Sequence, residues 1–259
     1  MTWSYLRVSS QAHRLSQNDA VRHAGFRLGL VSLLLAVTAL VAAARALFLV
    51  VYMAIAFRFD VDPISQPLSM YVFVEGGGEA FDSAALTLAA AMIALLLGMI
   101  RAGVRVRGAP AAYFSLWAGC LVLATVFPTD RSLSIETLAG WVHQIAGAGI
   151  LALLALGGFA LLPRLSERPE WRRTVGVVRA LSAWTAALAI TYVVSRLNDW
   201  FPEIFNWILI FDPGGILQRL ALTVDAAVIG ALAIHLIRLN WPALRNSDDH
   251  GPDAAPAPH

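Results

Sequence analysis

A serine, an aspartate and a histidine are the residue types from which hydrolytic triads and zinc sites are built. This chain places the serine in the connection after its first apolar run, and the aspartate and histidine at the edges of later ones. Ser69 follows Gln66-Pro67-Leu68, Asp130 ends Phe127-Pro128-Thr129-Asp130, and His143 opens the next apolar stretch. Gln218 and Arg219 stand about one turn inside a later apolar stretch, just after Gly214-Gly215. At a rise of about 1.5 Å per residue, His143 and Arg219 both fall within about 10 Å of the same end of their runs. Ser69, Asp130, His143, Gln218 and Arg219 are therefore the candidate ligand-binding set, and Asp130, His143 and Ser69 the candidates for catalysis. Each also has a plain structural use: an aspartate caps a helix, a histidine satisfies a carbonyl between helices, and an interfacial arginine snorkels.

A second pair lies deeper. Arg45 and Asp225 are each about 16–18 Å from that same end. An unpaired charge near a bilayer midplane costs at least about 2.5–3.5 kcal/mol. Equal depth and opposite sign predict a structural ion pair between Arg45 and Asp225, joining the first and sixth apolar runs. His235 sits far from His143 along the same direction, so the two cannot share one metal.

These residues need a frame, and composition names it. The 259 residues are 58% hydrophobic and 14% charged, with mean hydropathy +0.67, the balance of an integral membrane protein. The formal charge of +2 is too small to indicate a nucleic-acid partner. The single cysteine, Cys120, lies in an apolar run, where it serves as a small packing residue. Six apolar stretches cover Leu28–Phe57, Phe81–Ile100, Ala111–Phe127, Trp141–Leu162, Val175–Leu197 and Gly214–Ile237. Each approaches the roughly 20 residues needed to cross a bilayer as helix, and none alternates as a barrel strand would. The expected fold is an all-α six-helix membrane bundle over 28–238. A basic tail precedes it at 1–27 and a disordered tail follows at 239–259. The first run is too long for a signal-peptide core, so it is read as an uncleaved span.

Charge orders the connections. Arginines gather in the N-terminal tail, at Arg101, Arg105 and Arg107, at Arg164, Arg168, Arg172 and Arg173, and at Arg238 and Arg245. The other three connections hold most of the acids, among them Asp60, Asp62, Glu75, Asp130 and Asp212. The arginine bias predicts both termini in the cytoplasm of a bacterial cell, with the acidic connections outside. The connection 58–80 is expected to form a turn or short interfacial helix followed by a flexible joint at Gly76-Gly77-Gly78. Residues 199–213, with Trp200, Phe201, Phe205, Trp207 and Phe211, suit an interfacial helix.

Pro67-Leu68-Ser69, Phe127-Pro128-Thr129-Asp130, Gly140-x-x-His143 and Gly215-x-x-Gln218-Arg219 resemble the pattern of the domain-of-unknown-function 998 family. That resemblance implies a six-span prokaryotic membrane protein and no established activity. A looser similarity joins the chain to membrane hydrolases that hold zinc through Ser, Asp and His, but their His-x-x-x-His pair is absent. Nucleophile-elbow, P-loop and Cys-x-x-Cys motifs are absent as well. No cofactor follows from the sequence, and no metal is expected.

The favoured expectation is a polar pocket open to the outside that binds or handles a membrane lipid or other amphiphile, with Arg219 holding an anionic headgroup. An accessory role beside a protein partner in a membrane complex belongs to the same reading. The alternatives are a membrane-embedded hydrolase or transferase using Asp130 and His143, and a small transporter working around Arg45 and Asp225.

Overall fold

The computed structural model describes residues 3–132, 135–200 and 212–248, and the side chains of 29–132, 135–196 and 212–241. Six α-helices carry the chain: α1 Trp3–Ala56, α2 Gly77–Arg101, α3 Ala109–Val126, α4 Leu138–Ser166, α5 Arg172–Trp200 and α6 Gly214–Asp248. Short 3₁₀ turns at Leu68–Phe73 and Pro169–Trp171 precede α2 and α5, and no strand occurs among the described residues. All six helices include a segment long and apolar enough to cross a membrane. The chain is a multi-pass membrane protein.

Two boundaries differ from expectation. Gly77 and Gly78 are not a flexible joint but the first turn of α2. A Cβ on Gly77 would lie 2.6 Å from the Tyr71 carbonyl, so glycine lets α2 start directly against the 3₁₀ turn. Gly76, at φ 72°, supplies the left-handed residue that reverses the chain there. At the other boundary α6 continues to Asp248, so 239–248 is helix rather than irregular tail, favoured by Ala243-Leu244-Arg245. The basic segment 3–27 is the first part of α1. The aromatic stretch expected at the interface lies almost wholly outside the described residues.

Sequential helices are neighbours, and contact of α1 with α6 closes the ring; α6 also reaches α2 and α4. Close approach comes from small residues. Ala36, Ala39, Ala43 and Ala46 lie at spacing three-four-three and are all buried in the central cluster. On α4, Gly157 fits against the Phe114 ring, Gly158 against Ser182 and Gly149 against Cys120. Wholly buried Trp117, Phe114, Met92, Leu95 and Leu154 fill the centre. The outer surface is apolar too: Leu34, Leu116, Ile145, Trp184 and Ile190 are all more than half exposed, which suits a lipid-facing belt.

Candidate functional site

The acidic end of the bundle is held together by its own polar groups, and most of the candidate residues belong to that work. Asp130 is the first. Its Oδ1 accepts from the Thr137 hydroxyl at 2.7 Å, and its Oδ2 from the Glu136 and Thr137 amides at 2.9 and 3.2 Å. Thr137 in turn caps α4 by accepting from Gly140 N at 3.0 Å. The Thr137 hydroxyl, followed by the Glu136 amide, holds the Asp130 carboxyl below the usual carboxylate range. Gly140 makes room: a Cβ there would stand 1.9 Å from Asp130 Oδ2.

Arg219 and Gln218 form a clasp on the loop that precedes α2. Arg219 Nη1 donates to the Gln66 and Gly215 carbonyls, both at 2.9 Å, and Nη2 donates to the Tyr71 hydroxyl at 2.9 Å. Gln218 Oε1 accepts from Leu68 N at 2.8 Å, and Ile216 N donates to Ile64 O at 2.9 Å. A Cβ on Gly215 would meet the Gln66 carbonyl at 2.5 Å, so glycine lets the loop backbone lie on α6. Asp62 orders the same loop by accepting from Ser65 and Ile64, which lowers its pKa. Nη1 and Nη2 of the Arg219 guanidinium are committed to these acceptors and its Nε is buried without a partner, so the group is packed inside the protein rather than presented to an anionic headgroup.

Three of the five candidates do meet in one cavity. Ser69, His143 and Gln218 line a cavity of about 60 Å³, whose remaining wall is apolar, including Phe81, Leu121, Leu151 and Leu222. His143 Nδ1 lies 2.8 Å from the Phe127 carbonyl. A carbonyl only accepts, so Nδ1 carries the proton and Nε2 of the neutral ring keeps its lone pair. Neither that Nε2, nor the Ser69 hydroxyl, nor the Gln218 amide nitrogen has a hydrogen-bond partner among the described residues. Gly147 opens onto the cavity as well: a Cβ there meets nothing within 4 Å, so it differs from the packing glycines of α4.

The structure therefore divides the set that the sequence grouped. His143 is oriented by a backbone carbonyl and Asp130 is spent on the α4 cap, so the Asp–His half of a triad is not assembled. No cluster of three His, Cys, Asp or Glu residues that could hold a metal occurs among the described residues. Tyr71 and the two glycines were the parts sequence reasoning missed. The glycines stood in the motifs, but nothing local reveals what backbone will press on them.

The deeper pair is also separated. Arg45 donates to Ser83 Oγ at 2.8 Å and to Thr87 Oγ1, both on α2, and stays exposed. Asp225 is wholly buried, accepts from Thr185 Oγ1 at 3.0 Å, and leaves Oδ2 without a partner. The expected Arg45–Asp225 ion pair does not form, because equal depth fixes height but not which way each helix turns its side chain. His235 lies toward the opposite end with Thr174, 2.8 Å away, and the Trp171 ring.

No curated protein and no solved structure matches this chain. Residues 40–235, which contain both helix ends that frame the cavity and the whole Gly215-to-Arg219 clasp, match one family model, and the chain belongs to that family, described as "Protein of unknown function (DUF998)".

Proposed function

We propose that the cavity binds the neutral polar head of a membrane amphiphile, such as an alcohol or an ester, together with its first methylenes. The observation that carries this reading is the set of three unpartnered polar atoms in one apolar cavity: the Ser69 hydroxyl, His143 Nε2 and the Gln218 amide nitrogen. Together they offer an acceptor, a donor and a hydroxyl that can act as either, with no charged side chain on the lining. That chemistry suits a hydroxyl or ester better than a phosphate. A volume of about 60 Å³ leaves room for roughly four to six water-sized groups, a head and a short stretch of chain rather than a whole lipid. The distribution of arginine supports a cytoplasmic-membrane protein with both termini inside and the cavity toward the outer leaflet.

The test uses the full chain purified in mild detergent, with co-purifying lipids extracted and identified by mass spectrometry. A neutral amphiphile retained near one per protein is the expected result. Gly147→Leu, which adds a large side chain to a residue of the cavity lining one turn from His143, should lose it while keeping the thermal midpoint. Equal neutral-lipid content in wild type and Gly147→Leu would overturn the reading.

A further inference from the structure

Arg45 is a charge on the outside of a membrane bundle. It lies near the middle of the Gly29–Ala56 span, about 16 Å from its acidic end. The guanidinium rests between Ser83 and Thr87, six and ten residues into α2, so it remains about 9–15 Å below that end of the helix. Two hydroxyls satisfy part of its hydrogen-bonding capacity and none of its charge. Arg45 makes no ion pair among the described residues. Asp82, next to Ser83 on α2, is not within ion-pair distance of it.

The surroundings form a surface suited to a helix. Val41, Phe48, Tyr52 and Ile55 are exposed at 62, 67, 45 and 60%, and with Arg45 they fall at spacing four-three-four-three along α1. That is the spacing of a seam on which another helix packs. The acids of the described spans are Glu79 and Asp82 near the start of α2, Glu170 at the opposite end, and the wholly buried Asp225. A second copy would offer only Asp82, which is half-buried and leaves α2 about 7–8 Å below its acidic end, above the guanidinium of Arg45. A lipid phosphate would have to be drawn well below the headgroup level to reach it.

We infer that the α1 face centred on Arg45 docks a transmembrane helix of a different protein carrying a single carboxylate at mid-membrane depth. The carboxylate pairs with the guanidinium, and Val41, Phe48, Tyr52 and Ile55 pack along the helix on either side. This assignment is independent of the cavity, which lies on the interior side of α1.

The test places the full chain in lipid nanodiscs with a fluorescent single-span leucine-rich peptide carrying one central Glu, and a control peptide carrying Gln. Resonance energy transfer reports association. Wild type should bind the Glu peptide roughly tenfold or more tightly than the Gln peptide. Arg45→Lys should keep that preference and Arg45→Gln, which removes the charge and keeps a polar side chain, should lose it at an unchanged thermal midpoint. Equal binding of the two peptides to wild type, no binding of either, or a preference that survives in Arg45→Gln would overturn the proposal. So would a preference abolished by adding phosphatidylglycerol, which assigns the guanidinium to lipid phosphate.

Discussion

Arg219 of α6 donates to the Tyr71 hydroxyl at 2.9 Å and to the Gln66 carbonyl at the same distance, joining one helix to two points of the loop before α2. Gln66 stands just before the Leu68–Phe73 turn and Tyr71 within it, so the clasp fixes where that turn sits and with it the Ser69 wall of the cavity. Tyr71→Phe removes one hydrogen bond and should cost about 1 kcal/mol. Arg219→Lys cannot reproduce the planar fork, and it should cost more, about 1–3 kcal/mol for each buried acceptor left unpaired. Detergent-unfolding titrations of the two variants check the order; a lysine variant as stable as wild type removes the clasp.

The Asp130 cap makes stability depend on pH in a defined direction. Hydrogen bonds from Thr137 and Glu136 lower its carboxyl pKa in the folded protein. Such a group contributes stability that is complete above its unfolded value and is lost as pH falls through the folded one. The thermal midpoint of wild type should therefore drop below about pH 4, and Asp130→Asn should flatten part of that slope. Asp62 is shifted the same way by Ser65 and Ile64, so Asp62→Asn combined with Asp130→Asn should flatten it further. Coincident midpoint-versus-pH curves for all three proteins would rule out this role.

Gly140 offers a sharper test of the same contact. In an ordinary helix alanine is favoured over glycine by about 1 kcal/mol. Here the alanine methyl would stand 1.9 Å from Asp130 Oδ2, so Gly140→Ala should instead destabilise, by about 1–3 kcal/mol. In an Asp130→Ala background the obstruction is gone, and the same substitution should become neutral or stabilising. A double-mutant cycle measured by unfolding gives the sign, and an unchanged cost in the second background would remove the steric explanation.

The bundle was legible because hydrophobic length and arginine bias are properties of whole segments. Leu28–Phe57 and Phe81–Ile100 correspond to the spans Gly29–Ala56 and Gly77–Arg101, differing only at their ends. The site was legible only in its depth. His143, Gln218, Arg219 and Asp130 do lie at one end of the bundle, yet a helix turns about 100° per residue, so adjacent Gln218 and Arg219 have different partners. Gln218 lines the cavity while Arg219 reaches Tyr71. The carbonyl of Phe127 that orients His143 has no sequence signature.

Arg45 and Asp225 show the same distinction in a form that can be measured. If equal depth implied a pair, Arg45→Gln and Asp225→Asn would each lower folded yield and the double variant would recover it. The structure gives them separate partners, Ser83 and Thr87 for one and Thr185 for the other. Their effects should therefore add, within about 0.3–0.5 kcal/mol. Asn at 225 can still accept from Thr185, so its cost comes from the altered buried group alone and should not depend on residue 45. Arg45→Gln should change stability little, because its neighbours are hydroxyls and its surface is exposed. Unfolding titrations of both single variants and the double variant decide it. Rescue in the double variant would restore the ion pair across α1 and α6 and remove the unpaired charge on which the helix-docking face depends.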